Sequence, residues 1–378
     1  MALILNDDLK DKFDKIIYVS ASEETRLERL SASDLSKEDI LKRFELQRIY
    51  NLEGYLSNNF LIINTDNGYD INKINEFLNS MECKFTLPNN EGKAIWEITH
   101  QCNYNCSYCI FSCNSKKIDG ELTTEECYHI IDELVLHNFN HLKITGGEPF
   151  IRKDILEILK YASERLITDI STNASLITPE KVELLNQLKL KMIHVSLDGD
   201  KLEHESVRGN NTYERTIKGL EALRKSVNKV RIGSVIHSNN QYDLESLILD
   251  SVGLEADEII FSIMEPVAGQ DRSLVKTVPN EVLISQIDEL REKYNGQITV
   301  NYNFGKQPNF VHRCPAGDKF IYINNFGNVS PCPWVLESDK TCITSKSLRD
   351  NSLEEIKRDK VLVRFLDAKS KGKCYGKI

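Results

Sequence analysis

Three cysteines lie close together in the segment CNYNCSYC, at Cys102, Cys106 and Cys109. Clustered thiols in a protein of a reducing compartment are typical of metal ligands, because disulfides are rare there. A structural zinc site needs four ligands, and the nearest candidates for a fourth are His100 and Cys113. A 4Fe–4S cluster held by three thiolates leaves one iron open to a substrate or cofactor. Such a cluster therefore explains three cysteines better than a zinc site does. Zinc stays an alternative at this point.

The composition is that of a globular protein of two or three domains. The 378 residues are 40% hydrophobic and 28% charged, with a formal net charge of -9. An acidic chain is a poor partner for phosphates, so neither direct nucleic-acid binding nor binding to an anionic membrane is expected. No apolar stretch reaches the ~18 residues of a spanning helix, and the start MALILNDDLKDK has too short an apolar run for a signal peptide. We therefore expect a cytoplasmic protein.

Short apolar runs alternate with amphipathic segments between residues 94 and 264. The strand candidates are AIWEIT, HLKIT, TDIST, MIHVSL, VRIGSVI and EIIFSIM. The helix candidates include TTEECYHIIDELVLH, capped by Thr123 or Thr124, and PEKVELLNQL, with Pro179 in its first turn. This alternation predicts an α/β fold whose parallel sheet has right-handed crossovers. Six strands favour a partial (β/α)6 TIM-like barrel over a closed eight-stranded one, with the chemistry in loops after the strands.

Four further motifs lie at or just beyond the ends of predicted strands. They are GGEP at 146–149, STNAS at 171–175, VSLDG at 195–199 and VRG at 207–209. Each motif alone would be an ordinary turn or loop, but in a parallel barrel all of them should face one pocket. Together with the triplet, and with Tyr108 before its last cysteine, they resemble the radical S-adenosylmethionine (radical SAM) superfamily over residues 94–334.

The resemblance implies a 4Fe–4S cluster on the cysteine triplet, with S-adenosylmethionine (SAM) bound beside it. Backbone groups of GGEP would bind the methionine ammonium, STNAS the ribose, Arg208 the methionine carboxylate, and Tyr108 would lie near the adenine. The residues implied in cofactor binding are Tyr108, Gly146, Gly147, Glu148, Pro149, Ser171, Asn173, Ser196, Asp198 and Arg208. An electron from the cluster would break the S–C5′ bond of SAM, and the 5′-deoxyadenosyl radical would take hydrogen from a substrate C–H bond.

A second thiol site is predicted near the C-terminus. The segment KFIYINNFGNVS indicates a hairpin, which would bring Cys314 and Cys332 together at its open end. This segment resembles the SPASM/twitch extension of radical SAM enzymes, which holds auxiliary 4Fe–4S clusters, and Gly327 to Cys332 fits its G-x4-C element. Only Cys342 and Cys374 remain, so the resemblance implies one auxiliary cluster, with Cys314, Cys332 and Cys374 as the stronger ligands. Zinc on the same four thiols is the alternative.

Residues 1–82 form a separate predicted block, followed by a linker at 83–93, the radical SAM core at 94–300 and the auxiliary-cluster domain at 301–378. Within the block, KIIYVSASEETRLERL predicts a strand, turn and helix, FLIINTD a strand, and KEDILKRFELQ and INKINEFLNS helices. The block resembles the C-terminal part of P-loop nucleotide kinases, dephospho-coenzyme A kinase above all. Because the chain has no G-x4-G-K-[ST] motif, we expect a helper domain or a contact with a partner kinase.

The expected function is that of a radical SAM enzyme, with a non-catalytic zinc-binding scaffold as the alternative from another class. Peptide modification is the first expectation for its reaction. Oxidation or rearrangement of a small alcohol, amino sugar or nucleotide is the second. A flavodoxin or ferredoxin is the expected reductant. No catalytic acid or base is singled out, since several polar residues could face the cavity.

Overall fold

The computed structural model describes residues 16–30, 60–66, 92–264, 272–304 and 314–370. The chain divides into two compact units, Met1–Thr86 and Leu87–Ile378. Among the described residues, no helix is long and apolar enough to cross a membrane.

The N-terminal unit contains a small parallel sheet. Its described elements are β1 (Ile16–Ser20), α1 (Glu23–Leu30) and β2 (Phe60–Asn64), and the two strands pair in parallel. The Ser22 hydroxyl accepts the Thr25 N–H at the start of α1 (3.2 Å), as a capping residue does. The Ser22 N–H in turn donates to Asp66 (2.7 Å), and this hydrogen bond lowers the pKa of Asp66 to about 2. The predicted helices KEDILKRFELQ and INKINEFLNS lie outside the described residues.

A sheet of nine strands forms the centre of the second unit. The strands are β3 (Gly92–Glu97), β4 (Phe139–Thr145), β5 (Ile167–Thr172), β6 (Leu190–Ser196), β7 (Val230–Ile236), β8 (Glu258–Ile263), β9 (Thr299–Tyr302), β10 (Phe320–Ile323) and β11 (Val329–Ser330). Their order in the sheet is β11-β10-β3-β4-β5-β6-β7-β8-β9. All neighbours except β10 and β11 pair in parallel. The predicted partial barrel is confirmed, and its sheet is extended at both edges.

Helices connect the strands and cover one face of the sheet. They are α2 (Thr124–Leu136), α3 (Ile155–Ser163), α4 (Pro179–Leu185), α5 (Lys201–Arg208), α6 (Tyr213–Leu223), α7 (Leu244–Gly253), α8 (Asn280–Lys293), α9 (Pro333–Ser338), α10 (Leu353–Lys357) and α11 (Lys360–Ser370). Thr123 begins α2 in a capping box with Glu126, and Pro179 occupies the first turn of α4. Both features follow from the sequence, because these residue types favour helix starts.

Each barrel strand presents two different faces. On β4, Leu142 and Ile144 are fully buried in the apolar core that the helices complete. The alternate residues His141, Lys143 and Thr145 are only partly buried. They point into the barrel, because successive side chains of a strand point to opposite faces. The interior of the barrel is therefore polar along this strand.

The C-terminal hairpin continues the barrel sheet. Strands β10 and β11 pair antiparallel, with Tyr322 opposite Ser330, as the sequence predicts. On its other side β10 lies parallel to β3. The Asn324 side chain accepts the N–H groups of Phe326 (3.0 Å) and Asn328 (2.8 Å), which holds the turn. The hairpin is thus hydrogen-bonded to the strand that leads into the cysteine triplet.

Candidate active site

The loop that follows β3 carries the cysteine triplet and is called the cysteine loop (residues 98–114). Cys102 is buried, and Cys106 and Cys109 are partly buried. All three pack in one cluster with Tyr104 and Cys113. The fold therefore brings the three predicted cluster ligands together at the end of the barrel where the strands end.

The GGEP turn lies directly against the cysteine loop. Gly147 N–H donates to the Thr99 carbonyl oxygen (2.7 Å), and Glu148 N–H donates to that of Gln101 (2.9 Å). A Cβ atom added to Gly147 would lie 2.2 Å from the Gln101 oxygen and 2.9 Å from Cβ of Cys102. Only glycine permits such a close approach of two backbones. The turn thus defines one wall of the pocket beside the triplet.

The Glu148 side chain joins this turn to the end of β5. Its carboxylate is fully buried, and burial raises its pKa. It accepts hydrogen bonds from the Thr172 hydroxyl (2.7 Å), the Asn173 N–H (2.7 Å) and the Phe150 N–H (3.0 Å). Pro149, also buried, begins the short 3-10 turn Pro149–Ile151 that follows. Glu148 is therefore a bridge between two motifs, with both oxygens directed at the protein.

A polar network connects the STNAS segment to the cysteine loop. Asn103 Nδ2 donates to the Ser175 hydroxyl (2.8 Å), and Asn173 Nδ2 donates to Asn103 Oδ1 (2.9 Å). The Ser175 hydroxyl donates to Asn173 Oδ1 (2.6 Å). Ser171 and Ser196, near the ends of β5 and β6, are partly buried and lie on the interior face of the barrel. These groups could contact the hydroxyls of a bound sugar.

Three predicted cofactor-binding residues form one buried ionic unit. Arg208 Nε donates to Asp198 Oδ2 (2.6 Å), and the Tyr108 hydroxyl donates to the same oxygen (2.5 Å). The Val235 N–H donates to Asp198 Oδ1 (2.9 Å). Burial raises the pKa of Asp198, but the Arg208 guanidinium outweighs burial, so that the pKa of Asp198 is lower than usual. Asp198 engages the inner nitrogen of Arg208, and this leaves the terminal nitrogens in a position to bind a carboxylate.

The three thiols of the triplet differ in acidity. Hydrogen bonds from the Cys113 thiol and from nearby backbone N–H groups lower the pKa of Cys109 to about 6, although burial opposes them. Burial raises the pKa of Cys102 to about 12 and also raises that of Cys106. Metal ligation requires thiolates, so Cys109 is the thiol best prepared for it.

A second group of side chains, which the sequence analysis did not single out as a unit, lies beside the triplet. Glu97, at the end of β3, is buried and accepts a hydrogen bond from the Tyr322 hydroxyl of β10. His100 Nδ1 lies 2.7 Å from Glu97 Oε1, and this hydrogen bond raises the pKa of His100. The donor atoms of Glu97, His100 and Cys113 lie within 4.8 Å of one another, so they could hold a cation. Glu97 and Tyr322 are 225 positions apart, and only the strand order brings them together.

The predicted auxiliary thiols also lie together where the structure describes them. Cys314, Cys332 and Cys342 pack around an apolar group that includes Val335 and Phe365. Burial raises the pKa of Cys342 to about 11. The fourth predicted ligand, at position 374, lies outside the described residues.

Comparisons with known proteins agree with this geometry. The model of the Radical SAM superfamily matches residues 96–249. The chain is 27% identical over 307 residues to the AdoMet-dependent heme synthase of Methanosarcina barkeri, an alignment that covers 74% of this chain and 86% of that protein. It is 28% identical to the mycofactocin maturase MftC of Mycobacterium tuberculosis, over 74% and 73% of the two chains. It is 26% identical to the PqqA peptide cyclase of Bradyrhizobium diazoefficiens, over 63% and 66%.

Solved structures show the same fold at lower identity. Streptococcus suis SuiB superposes with a TM-score of 0.62 at 18% identity, over 86% of this chain and 78% of that one. The enzyme anSMEcpe with bound AdoMet superposes with a TM-score of 0.58 at 16% identity, over 75% and 86%. At these identities the likeness establishes the architecture alone.

The residues at the strand ends fit the cofactors of the matched superfamily, a 4Fe–4S cluster and SAM. Three thiols converge in one loop, a glycine turn exposes its backbone beside them, and an arginine is held by a buried carboxylate. Residues 96–249, which carry the triplet and the strand-end motifs, thus match the Radical SAM superfamily, and the relatives align over a longer part of the chain.

Proposed function

We propose that this enzyme cleaves SAM at the cysteine loop and uses the resulting radical to modify a peptide. The contact between the GGEP turn and the triplet, with Gly147 backed onto Gln101 and Cys102, carries the first part of the proposal. It supports a pocket in which the cluster and the methionine end of SAM lie side by side. When bound, these cofactors supply the 5′-deoxyadenosyl radical that removes hydrogen from a substrate C–H bond.

The protein residues contribute ligation and orientation. Cys102, Cys106 and Cys109 would hold the cluster as thiolates. Arg208 would bind the methionine carboxylate through its terminal nitrogens, a fork–carboxylate contact that fixes direction as well as charge. Asp198 keeps that guanidinium in one position, so little conformational entropy is lost when SAM binds.

The STNAS segment and Tyr108 would orient the nucleoside part of SAM. Asn173 and Ser175 present amide and hydroxyl groups for the ribose, and their mutual hydrogen bond (2.6 Å) sets their directions. The guanidinium carbon of Arg208 lies over the Tyr108 ring, 5.4 Å from the ring centroid. Tyr108 would border the adenine.

Two relatives support a peptide substrate. The PqqA peptide cyclase carries a peptide in its name and aligns with 63% of this chain, and SuiB has been solved bound to its precursor peptide SuiA. The alignment with the AdoMet-dependent heme synthase covers 86% of that protein. This relative favours a small molecule as the second candidate substrate. We place the peptide first because a partial barrel with an open edge can admit an extended chain.

We propose that Cys314, Cys332, Cys342 and Cys374 hold one auxiliary 4Fe–4S cluster. The common apolar surroundings of the three described thiols support this set, as does the attachment of β10 to β3. A flavodoxin or ferredoxin in the cytoplasm would supply electrons. The N-terminal unit would be an accessory domain, and contact with a partner kinase is the role that its kinase-like sequence suggests.

The substrate proposal is tested with anaerobically reconstituted, reduced enzyme. The enzyme is incubated with SAM and either peptides encoded by neighbouring genes or a panel of tetrapyrroles, alcohols, amino sugars and nucleotides. We expect a peptide to increase 5′-deoxyadenosine formation and to change in mass. Stimulation by a small molecule and by no peptide would reject the peptide assignment and leave the radical SAM chemistry standing.

A further inference from the structure

The barrel interior carries a row of charged side chains below the candidate active site. We call it the interior charge row and define it as Lys93, Lys143, Asp169, His194, Arg231 and Glu258. The corresponding layers of a closed TIM barrel are filled mostly by bulky branched apolar residues. A charged row in this place therefore requires an explanation.

Strand register places these residues side by side. Lys143 of β4 is paired with Asp169 of β5, and farther along His194 of β6 is paired with Arg231 of β7. Arg231 is paired in turn with Glu258 of β8. All of them alternate with core residues, so they share the interior face. The row thus crosses six adjacent strands, β3 to β8.

Lys143 and His194 lie two positions before the ends of their strands, whereas Lys93, Arg231 and Glu258 lie at or near the starts of theirs. Lys143 precedes Thr145, the last residue of β4, by two positions, which corresponds to roughly 7 Å along a strand. Its side chain is partly buried, so solvent reaches it. A ligand that enters from the strand ends would meet Lys143 first, and it would have to extend roughly 13 Å below Glu97, by four strand positions, to reach the backbone of Lys93.

The acidic members of the row already have partners. Glu258 forms an ion pair with Arg231 (2.5 Å) and accepts a hydrogen bond from Asn301 (2.6 Å). Asp169 Oδ2 lies 2.8 Å from His141 Nε2. Asp169 is only 4% exposed. Its other oxygen, Oδ1, is buried and has no hydrogen-bond partner among the described residues.

The two lysines differ from the other charged members. Within the described ranges, neither Lys93 nor Lys143 forms an ion pair or a side-chain hydrogen bond. Desolvation and the nearby Lys93 lower the pKa of Lys143 to about 8, although Asp169 opposes them, and desolvation also lowers the pKa of Lys93 against the attraction of Asp169. A partly desolvated ammonium group without a partner destabilises the fold. An anionic ligand would remove this cost.

We propose that Lys143 and Lys93 bind a carboxylate of the substrate, inserted into the barrel from the strand ends. This inference rests on the proposed function and names the chemistry that its substrate must carry. Three cations of the row face two carboxylates, and the excess of positive charge favours an anion. The unpartnered Asp169 Oδ1 would accept a hydrogen bond from an N–H or O–H group next to that carboxylate.

A metal ion does not account for the row. Within the described residues, the group of His, Cys, Asp and Glu donors close enough to share an ion is Glu97, His100 and Cys113. That group contains no member of the row. Ammonium groups are also poor metal ligands, since a metal requires a lone pair.

Three small probes test the proposal on the reconstituted holoenzyme with SAM present. N-acetylglutamate α-amide offers a side-chain carboxylate, N-acetylalanine offers a C-terminal carboxylate, and N-acetylglutamine amide is the neutral control. Binding is measured by calorimetric titration and by the thermal midpoint, at constant ionic strength set with sodium chloride. The variants are Lys143→Met, Lys93→Met and, as a matched control, Lys218→Met, whose lysine is exposed on α6.

We expect one or both carboxylate probes to bind the wild type and Lys218→Met. Affinity should fall by about tenfold or more in Lys143→Met and in Lys93→Met, as for the loss of one charge-assisted hydrogen bond in each. The neutral probe should not bind. Without any probe, Lys143→Met should have a higher thermal midpoint than the wild type, because an unpaired desolvated charge has been removed. The relative affinity of the two acids identifies the source of the carboxylate.

Equal affinity of all three variants for the acids, or no binding at all, would overturn the proposal. A lower thermal midpoint for Lys143→Met without probe would also count against it, since the lysine would then have an internal structural role. SAM cleavage without substrate is measured in the same samples. If the wild type cleaves SAM but binds neither acid, only the carboxylate site is rejected, whereas absent cleavage in the wild type rejects the proposed function.

Discussion

The two thiol clusters of the second unit are held in different ways. The cysteine loop is positioned by directional contacts: Gly147 backs onto Gln101, and Glu148 bridges to Asn173. Cys314, Cys332 and Cys342 instead surround apolar side chains of α9 and α11. Hydrogen bonds and close backbone contacts fix a geometry to fractions of an ångström, whereas apolar packing tolerates adjustment. The first cluster should therefore respond to single substitutions far more strongly than the second.

The buried pair at the end of β6 should give the largest effect. In Arg208→Met the Asp198 carboxylate stays buried without its cation, so the free energy of unfolding should fall by about 3–5 kcal/mol. Denaturant unfolding measures this change. Adding Asp198→Asn to the same variant should restore part of the loss, and an equally unstable double variant would show that packing, not charge, is responsible.

The same pair gives a pH dependence with a definite sign. The pKa of Asp198 is lower in the folded protein than its usual value because Arg208 outweighs burial. The resulting stability is fully present above the unfolded carboxyl pKa, near ~4, and is lost as pH falls through the folded value. Wild-type stability should therefore fall more steeply in acid than that of Asp198→Asn. Parallel curves would contradict the pairing.

The glycine turn should give the next largest effect. In Gly147→Ala the new Cβ meets the Gln101 backbone oxygen and Cβ of Cys102, and neither atom can move without shifting the loop. We expect SAM cleavage to fall by about a hundredfold, as displacements near 1 Å do at other active sites. Gly253→Ala is the matched control, because a Cβ there has no neighbour within 4 Å. Similar rates for the two variants would show that the turn does not position the loop.

The Glu148 bridge should give a moderate effect. In Glu148→Gln an amide NH2 replaces an acceptor, so the Thr172 hydroxyl or the Asn173 N–H loses its partner. The expected cost is about 1–3 kcal/mol of folding free energy, measured by denaturant unfolding. Glu125→Gln, at an exposed position of α2, should change stability by less than about 0.5 kcal/mol.

The sequence predicts the cysteine loop better than the groups around it. The triplet and the strand-end motifs occupy short segments, and their meeting follows from the parallel strand order alone. The contact of Tyr322 with Glu97 could not be predicted, because it depends on β10 joining the sheet beside β3. The interior charge row did leave a signal. HLKIT and TDIST carry Lys143 and Asp169 in strands that would be apolar on both faces if fully buried.

The C-terminal thiol cluster should give the smallest effect. Gly317 has a φ of +80°, so Gly317→Ala should cost about 1–2 kcal/mol of stability through backbone strain. Its Cβ would meet the Phe365 ring at 3.0 Å, a side chain that can move. SAM cleavage without substrate should be unchanged. A loss as large as that of Gly147→Ala would remove the distinction between the clusters.

Iron content and SAM cleavage, measured together on two cysteine variants, decide where the chemistry takes place. Replacing Cys102, Cys106 and Cys109 by Ala should abolish 5′-deoxyadenosine formation and lower iron from roughly eight to roughly four per chain. Replacing Cys314 and Cys332 should lower iron similarly and leave cleavage without substrate intact. Cleavage retained by the triple variant under reducing, anaerobic conditions would contradict the assignment of the cysteine loop as the catalytic site.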